Sequence, residues 1–200
     1  MEPEVHIIEK YFQTILGCLT MTNVKCAGGK EIDLLAMNPK TSDRYHVESR
    51  VSTTFKLKGT ATFNKKTGAC HKNGLDYFHK EKFEHEAVKK KISEYFGNND
   101  YKKILVVWSM EDISLADFAL KKYGFWVCYI DEMINDLLVK GNIRGSRDDV
   151  LRVIELVSVL QKTFVKSRRL GGRVSKEEME EESRLPQFPR DWSANYENKT

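Results

Sequence analysis

The chain has 200 residues and a formal net charge of +4, with 40% hydrophobic and 31% charged residues. This composition excludes wholesale disorder, and the length predicts a single compact core. No run approaches the roughly 18 consecutive apolar residues that a membrane span needs. The first residues carry acids where a secretory signal carries cations, so we expect a cytoplasmic protein without a membrane partner.

The first half of the chain is predicted to form one helix and three strands. Apolar residues at three- and four-residue steps indicate a helix over Pro3–Leu19, and a strand is predicted over Thr20–Cys26. Strands over Glu31–Met37 and Tyr45–Thr53 enclose a segment rich in turn-forming residues, which predicts a hairpin. The polar, basic segment Phe55–Leu75 is expected to be a loop near a binding surface.

The second half alternates helices with two buried strands. Continuous apolar runs predict strands at Lys103–Trp108 and Phe125–Ile130, whose tryptophans we expect in the core. Four segments have helical periodicity: Phe78–Phe96, Ser114–Tyr123, Asp131–Val139 and Asp148–Phe164. The last of these is apolar on almost every side, which favours packing on two surfaces or a homodimer. We therefore expect an α/β domain over residues 1–164, followed by a charged, flexible tail over residues 165–200.

Cationic charge is concentrated in the middle of the chain. Between Thr54 and Lys91 there are ten lysines and four acidic residues. Such a stretch favours binding of a polyanion such as nucleic acid. The alternative is that these lysines only solvate a helix face.

Two acidic residues, Asp33 and Glu48, interrupt the apolar strands of the hairpin. Folding the hairpin about Thr41 places Asp33 near Ser49, with Glu48 and Arg50 one residue to either side. If the loop is asymmetric by one residue, Asp33 lies on the same face of the sheet as Glu48 and Arg50. Carboxylates gathered in this way repel each other, and a hard divalent cation shared with a substrate phosphate would neutralise them. These groups suit phosphodiester hydrolysis, whereas the alternative is a plain ion pair between Asp33 and Arg50.

The two strands carry a motif that resembles a known family. Gly29-Lys-Glu-Ile-Asp33-Leu-Leu-Ala, followed by His46-Val-Glu48-Ser-Arg50-Val-Ser, resembles the PD-(D/E)xK nuclease superfamily. The resemblance covers about residues 4–132 and implies the restriction-endonuclease-like fold, a mixed central β-sheet flanked by helices in αβββαβ order. It implies a metal-dependent endonuclease that acts on DNA more readily than on RNA. The alternative is a protein of this fold that binds nucleic acid with weak or no activity.

The resemblance also assigns roles to individual residues. Asp33 matches the family's first aspartate and Glu48 its second carboxylate, so both are expected to bind Mg²⁺ or Mn²⁺ and to be catalytic. Many members add a glutamate on the preceding helix. Glu9 is the better match for it and Glu4 the weaker one.

The family's lysine is replaced here by Arg50, which we also expect to be catalytic. Arginine keeps the positive charge but cannot release a proton at ordinary pH. Lys56 or Lys72 could supply the missing lysine. Lysines of the basic segment are expected to contact phosphates without reading sequence: Lys56, Lys58, Lys65, Lys66, Lys72, Lys82 and Lys89.

Overall fold

The structure is a computed structural model. It describes residues 2–52, 54–61, 72–97, 100–141 and 147–159. The chain divides into two compact units, Met1–Ile154 and Glu155–Thr200. All five strands lie in the first unit, and residues 155–159 are the described, helical part of the second. The expected tail, as well as Lys65 and Lys66, lies outside the described residues.

A five-stranded mixed sheet forms the centre of the first unit, in the spatial order β1-β2-β3-β4-β5. Strands β1, β2 and β3 pair antiparallel, and β3, β4 and β5 pair parallel. Together with its flanking helices, this sheet confirms the expected α/β class. The strands are β1 Leu19–Lys25, β2 Glu31–Met37, β3 Arg44–Arg50, β4 Lys102–Val107 and β5 Trp126–Tyr129.

Helices cover both faces of the sheet. On one face Phe12 contacts Tyr45 of β3, with ring centroids 5.3 Å apart, and on the other face His46 contacts Phe83 at 5.0 Å. Neighbouring residues of a strand point to opposite faces, so these two contacts distinguish the faces. The helices are α1 Pro3–Thr14, α2 Leu75–Phe78, α3 Glu86–Phe96, α4 Ser114–Tyr123, α5 Ile130–Lys140 and α6, residues 149–159.

The face that carries His46 is covered by α2, α4 and the turn after α2. Phe83 and Phe125 lie fully buried at its centre, with ring centroids 4.9 Å apart. The same core cluster contains further residues from the strands, the helices and the segment after β3: Phe55, Leu57, Leu75, Phe78, Leu105, Val107, Met110 and Ala119. Phe83 of this cluster contacts the ring of His46, so the cluster packs against the buried His46 of β3.

Helix α1 is shorter than predicted. It ends at Thr14, because Gly17 has a φ of +65° and reverses the chain before β1 begins. Leu19, which we expected on the helix's apolar stripe, is instead the first residue of β1 and is 63% exposed. The strand prediction for Tyr45–Thr53 was likewise too long, since β3 ends at Arg50.

The single helix predicted over Phe78–Phe96 is divided in the structure. A π-helical turn, His79–Phe83, follows α2, and the amide of Glu84 donates to the carbonyl of His79 at 2.8 Å. Phe78 and Phe83, five positions apart, are both buried in one core. An α-helix would rotate them by about 140° relative to each other. Burial of both phenylalanines therefore favours the wider turn.

The end of β4 also differs from the prediction. The strand ends at Val107, and the next residue, Trp108, is 45% exposed instead of buried. Trp126 begins β5 and is half-buried. No helix within the described ranges combines the length and apolar character needed to cross a bilayer.

Candidate active site on strands β2 and β3

Asp33 and Glu48 lie on facing positions of neighbouring strands. In the β2–β3 pair, Leu34 lies opposite Val47 and Leu35 opposite His46. Continuing this register by one residue places Asp33 directly opposite Glu48. This is the one-residue asymmetry on which the predicted convergence depended, so both carboxylates are on the same face.

A lysine ammonium joins the two carboxylates. Nζ of Lys82 lies 2.5 Å from Oε2 of Glu48 and 4.0 Å from Oδ1 of Asp33. Its side chain is 27% exposed, whereas Glu48 is fully buried. Burial acts to lower the pKa of Lys82, but the charges of Glu48 and Asp33 outweigh it and raise the pKa above its ordinary value. The ammonium therefore stays protonated at neutral pH.

Asp33 is held by hydrogen bonds at one of its two oxygens. Oδ2 accepts from the backbone amide of Ser49 at 2.7 Å and from its hydroxyl at 3.0 Å. Burial, together with the negative charge of Glu48, raises the pKa of Asp33 to about 6, although Lys82 and Ser49 oppose the shift. Simultaneous negative charge on Asp33 and Glu48 is therefore unfavourable unless a further cation binds beside them.

Glu48 has a second buried partner on its own strand. Nε2 of His46 lies 2.8 Å from Oε1 of Glu48, and both side chains are fully buried. Oε2 of Glu48 has the ion pair with Lys82 but, among the described residues, no partner with hydrogen-bond geometry. One oxygen is therefore fixed by His46, while the other is directed at the cation.

The π-helical turn explains how Lys82 reaches the acids. Lys82 immediately precedes Phe83, whose ring is fixed in the core against Phe125. With Phe83 anchored, the lysine side chain passes over the start of β2, where its ammonium lies 3.5 Å from the carbonyl oxygen of Glu31. From its sequence position Lys82 is predicted to bind phosphate, and its contact with the two carboxylates is seen only in the structure.

Other cations proposed for this position lie elsewhere. The guanidinium of Arg50 lies over the ring of Phe55, 5.6 Å from its centroid, and Arg50 is exposed. Lys56 and Lys72 are exposed as well. In the described structure the cation next to the carboxylates comes from Lys82, although neither the strand spacing nor the loop position predicted it.

Glu9 is not brought to the pair. Its Oε1 accepts from the hydroxyl of Thr20 at 3.0 Å, and its Oε2 lies 3.5 Å from Nδ1 of His6. Helix α1 covers the face of the sheet opposite His46, so Glu9 and the weaker candidate Glu4 belong to the other side. Within the described ranges, no group of three or more His, Cys, Asp and Glu side chains is arranged to hold a metal ion.

The two carboxylates nevertheless suit a hard cation. Within the described residues the hydrogen bonds of Asp33 go to Oδ2, and His46 binds Oε1 of Glu48, so Oδ1 and Oε2 are the oxygens turned towards Lys82. Mg²⁺ is commonly held by one or two carboxylates together with water and substrate phosphate. Asp33 and Glu48 therefore fit such an ion in the presence of a substrate.

The remaining lysines of the predicted phosphate-binding set are partly neutralised. Lys58 lies 3.8 Å from a carboxylate oxygen of Glu111, and Lys89 lies 3.5 Å from one of Glu84. Exposed ion pairs of this kind are weak and are exchanged readily for phosphate. Lys56 and Lys72 are the exposed members of the set in the described structure.

Comparison with known proteins gives a structural likeness but no family match. No family model matches the chain, and no curated protein matches it. Among solved structures, the chain is similar to AF1548, described as a protein of unknown function, with a TM-score of 0.41 and 13% identity. The likeness covers 84% of this chain and 96% of that one.

Proposed function

We propose that the chain is a metal-dependent endonuclease of the restriction-endonuclease-like fold, which hydrolyses phosphodiester bonds in DNA in preference to RNA. The observation that carries this proposal is the buried Glu48 opposite Asp33, with the ammonium of Lys82 against both. Two carboxylates with a cation beside them are the parts that the sequence motif led us to expect. The cation we expected was Arg50 of β3, or Lys56 or Lys72 in its place, whereas here it is Lys82 of the π-helical turn.

The residues of the site have different roles in this proposal. Oδ1 of Asp33 and Oε2 of Glu48 would hold Mg²⁺ or Mn²⁺, which supplies Lewis-acid stabilisation of the phosphate and activates water. Among the described residues, Lys82 is the cation closest to this position, and its pKa is raised. It therefore acts as a positive charge on the scissile phosphate and not as a proton acceptor. The amide and hydroxyl of Ser49 keep Asp33 in place.

Cleavage assays with matched variants test the proposal. Purified protein is incubated with single-stranded, duplex and branched DNA and with RNA, in Mg²⁺, Mn²⁺ or EDTA. We expect metal-dependent cleavage that falls at least 100-fold in Asp33→Asn, Glu48→Gln and Lys82→Met. Asp43→Asn and Lys140→Met alter a carboxylate and a lysine outside the site, and we expect both to keep the activity. Cleavage that persists in Asp33→Asn would overturn the assignment.

A second candidate is a nucleic-acid-binding protein of this fold that does not cleave. Lys82 already neutralises part of the charge of the pair, and the third expected carboxylate, Glu9, bonds to Thr20 on the opposite face. This candidate predicts salt-sensitive retention of DNA with no product in either metal. Cleavage by the wild-type chain that Asp33→Asn abolishes would rule it out.

A further inference from the structure

A buried contact between His46 and Glu48 fixes the orientation of the Glu48 carboxylate. Neither side chain is exposed, and Nε2 of His46 lies 2.8 Å from Oε1 of Glu48. Nδ1 of the same ring is buried with no hydrogen-bond partner among the described residues. A ring nitrogen that carries a proton and is buried without an acceptor is costly. The proton of the ring therefore belongs on Nε2, where Glu48 accepts it, and Nδ1 is bare.

The His46 ring is held in its orientation by aromatic neighbours. Its centroid lies 5.0 Å from that of Phe83 at an interplanar angle of 70°, and 6.0 Å from that of Tyr101 at 52°. Phe83 is itself fully buried and packs on Phe125. The donor that faces Glu48 is therefore fixed by the core and does not depend on the cation.

We propose that His46 is a positioning residue for Glu48: its Nε2–H holds Oε1, so that Oε2 is directed at the cation position between Glu48, Asp33 and Lys82. The inference rests on the proposed function, because the ion that it serves is the one proposed there. Carboxylate ligands whose orientation is fixed by a second hydrogen bond bind metal more tightly, and loss of such a partner typically lowers affinity 10–100-fold. His46 touches neither substrate nor cation in this arrangement.

Two variants separate the hydrogen bond from the bulk of the ring. His46→Phe keeps a flat ring in the core but removes the donor. His46→Gln restores a donor, because its Nε2 lies the same number of bonds from Cα as Nε2 of histidine. Phe12→Leu is the matched control, since it disturbs the core on the opposite face of the sheet, against Tyr45 of the same strand, and leaves His46 and its aromatic neighbours in place.

The measurements are Mn²⁺ affinity by electron paramagnetic resonance and the ring proton position by ¹⁵N nuclear magnetic resonance. In metal-free wild-type protein we expect a proton on Nε2 and none on Nδ1. We expect Mn²⁺ to bind 10–100-fold more weakly to His46→Phe, and within about threefold of wild type to His46→Gln and to Phe12→Leu.

The outcomes distinguish this inference from the proposed function. An Nε2 that carries no proton, or Mn²⁺ affinity that is equal in His46→Phe and wild type, overturns the positioning role while leaving the nuclease proposal intact. The expected affinities without any DNA cleavage support the positioning role and overturn the nuclease. Absence of Mn²⁺ binding by the wild-type chain overturns both.

Discussion

Replacing Asp33 by asparagine should stabilise the metal-free fold, although the change removes a charge from an ion pair. Burial and the neighbouring Glu48 raise the pKa of Asp33 from 3.8 to about 6. At about 1.4 kcal/mol per pH unit, this difference corresponds to about 3 kcal/mol of folding free energy. The sign follows from linkage: the folded state binds the proton more tightly, so stability present below pH 4 is lost as the pH rises through 6. Asparagine does not ionise and keeps an oxygen for the hydrogen bonds from Ser49.

The assay is urea unfolding in EDTA at several pH values from 4 to 8. We expect similar free energies of unfolding for wild type and Asp33→Asn near pH 4, and an advantage of about 1.5–3 kcal/mol for the variant at pH 8. Added Mn²⁺ should stabilise the wild type and reduce this advantage, because the ion restores the charge balance. A variant that is less stable at pH 8, or a difference that does not change with pH, would refute the reasoning.

Asp43 provides a control with the opposite sign in the same hairpin. Burial opposes its ionisation, but hydrogen bonds from Thr41 and Lys102 and the charge of Lys102 outweigh burial and hold the pKa of Asp43 below its ordinary value. Stability from Asp43 is therefore present above pH 4 and lost at lower pH. Asp43→Asn should be destabilised at neutral pH, whereas Asp33→Asn should be stabilised there.

Two further substitutions test the contacts around the site. Lys82→Met should lower the free energy of unfolding without metal by about 2–3 kcal/mol, because it leaves Glu48 buried without its cation. The same variant should show a larger thermal shift with Mn²⁺, since no ammonium then has to be displaced. Unchanged stability in urea unfolding would contradict the ion pair. Gly74→Ala should be strongly destabilising, by at least about 3 kcal/mol, because a Cβ at Gly74 would lie 1.9 Å from the backbone nitrogen of Ala61. Wild-type stability of this variant would show that the backbone at Ala61 does not approach Gly74 this closely.

Two elements could be predicted with their boundaries because the signals that delimit them are local. Strand Glu31–Met37 and helix Ser114–Tyr123 have the predicted boundaries, since turn-forming residues and a glycine delimit them. The convergence of Asp33 and Glu48 was conditional, because the register depends on the loop after β2. In that loop Ser42 adopts a φ of +62°, which no residue-type preference indicates. Folding the hairpin symmetrically about Thr41 would place Asp33 opposite Ser49 instead of Glu48, so the two acids would lie on different faces of the sheet.

The end of α1 and the exposure of Trp108 show a different limit. Leu16 and Leu19 continue the helical stripe, so periodicity extended the helix through Gly17. The structure uses the positive φ of that glycine to end the helix. Trp108 continues an apolar run, but the strand ends one residue earlier. In both segments the apolar pattern continues past the residue at which the helix or the strand ends.

The position of Lys82 could not be obtained from periodicity at all. An α-helical repeat with Phe83 on the inner stripe turns Lys82 about 100° away from it, towards solvent. The π-helical turn changes this relation, because it forms where the burial of Phe78 and Phe83 in one core outweighs regular hydrogen bonding. Single π-helical turns are uncommon and are often found at functional sites. A charge that reaches two carboxylates through such a turn is positioned by the core, so the ion pair and the phenylalanine packing should be lost together.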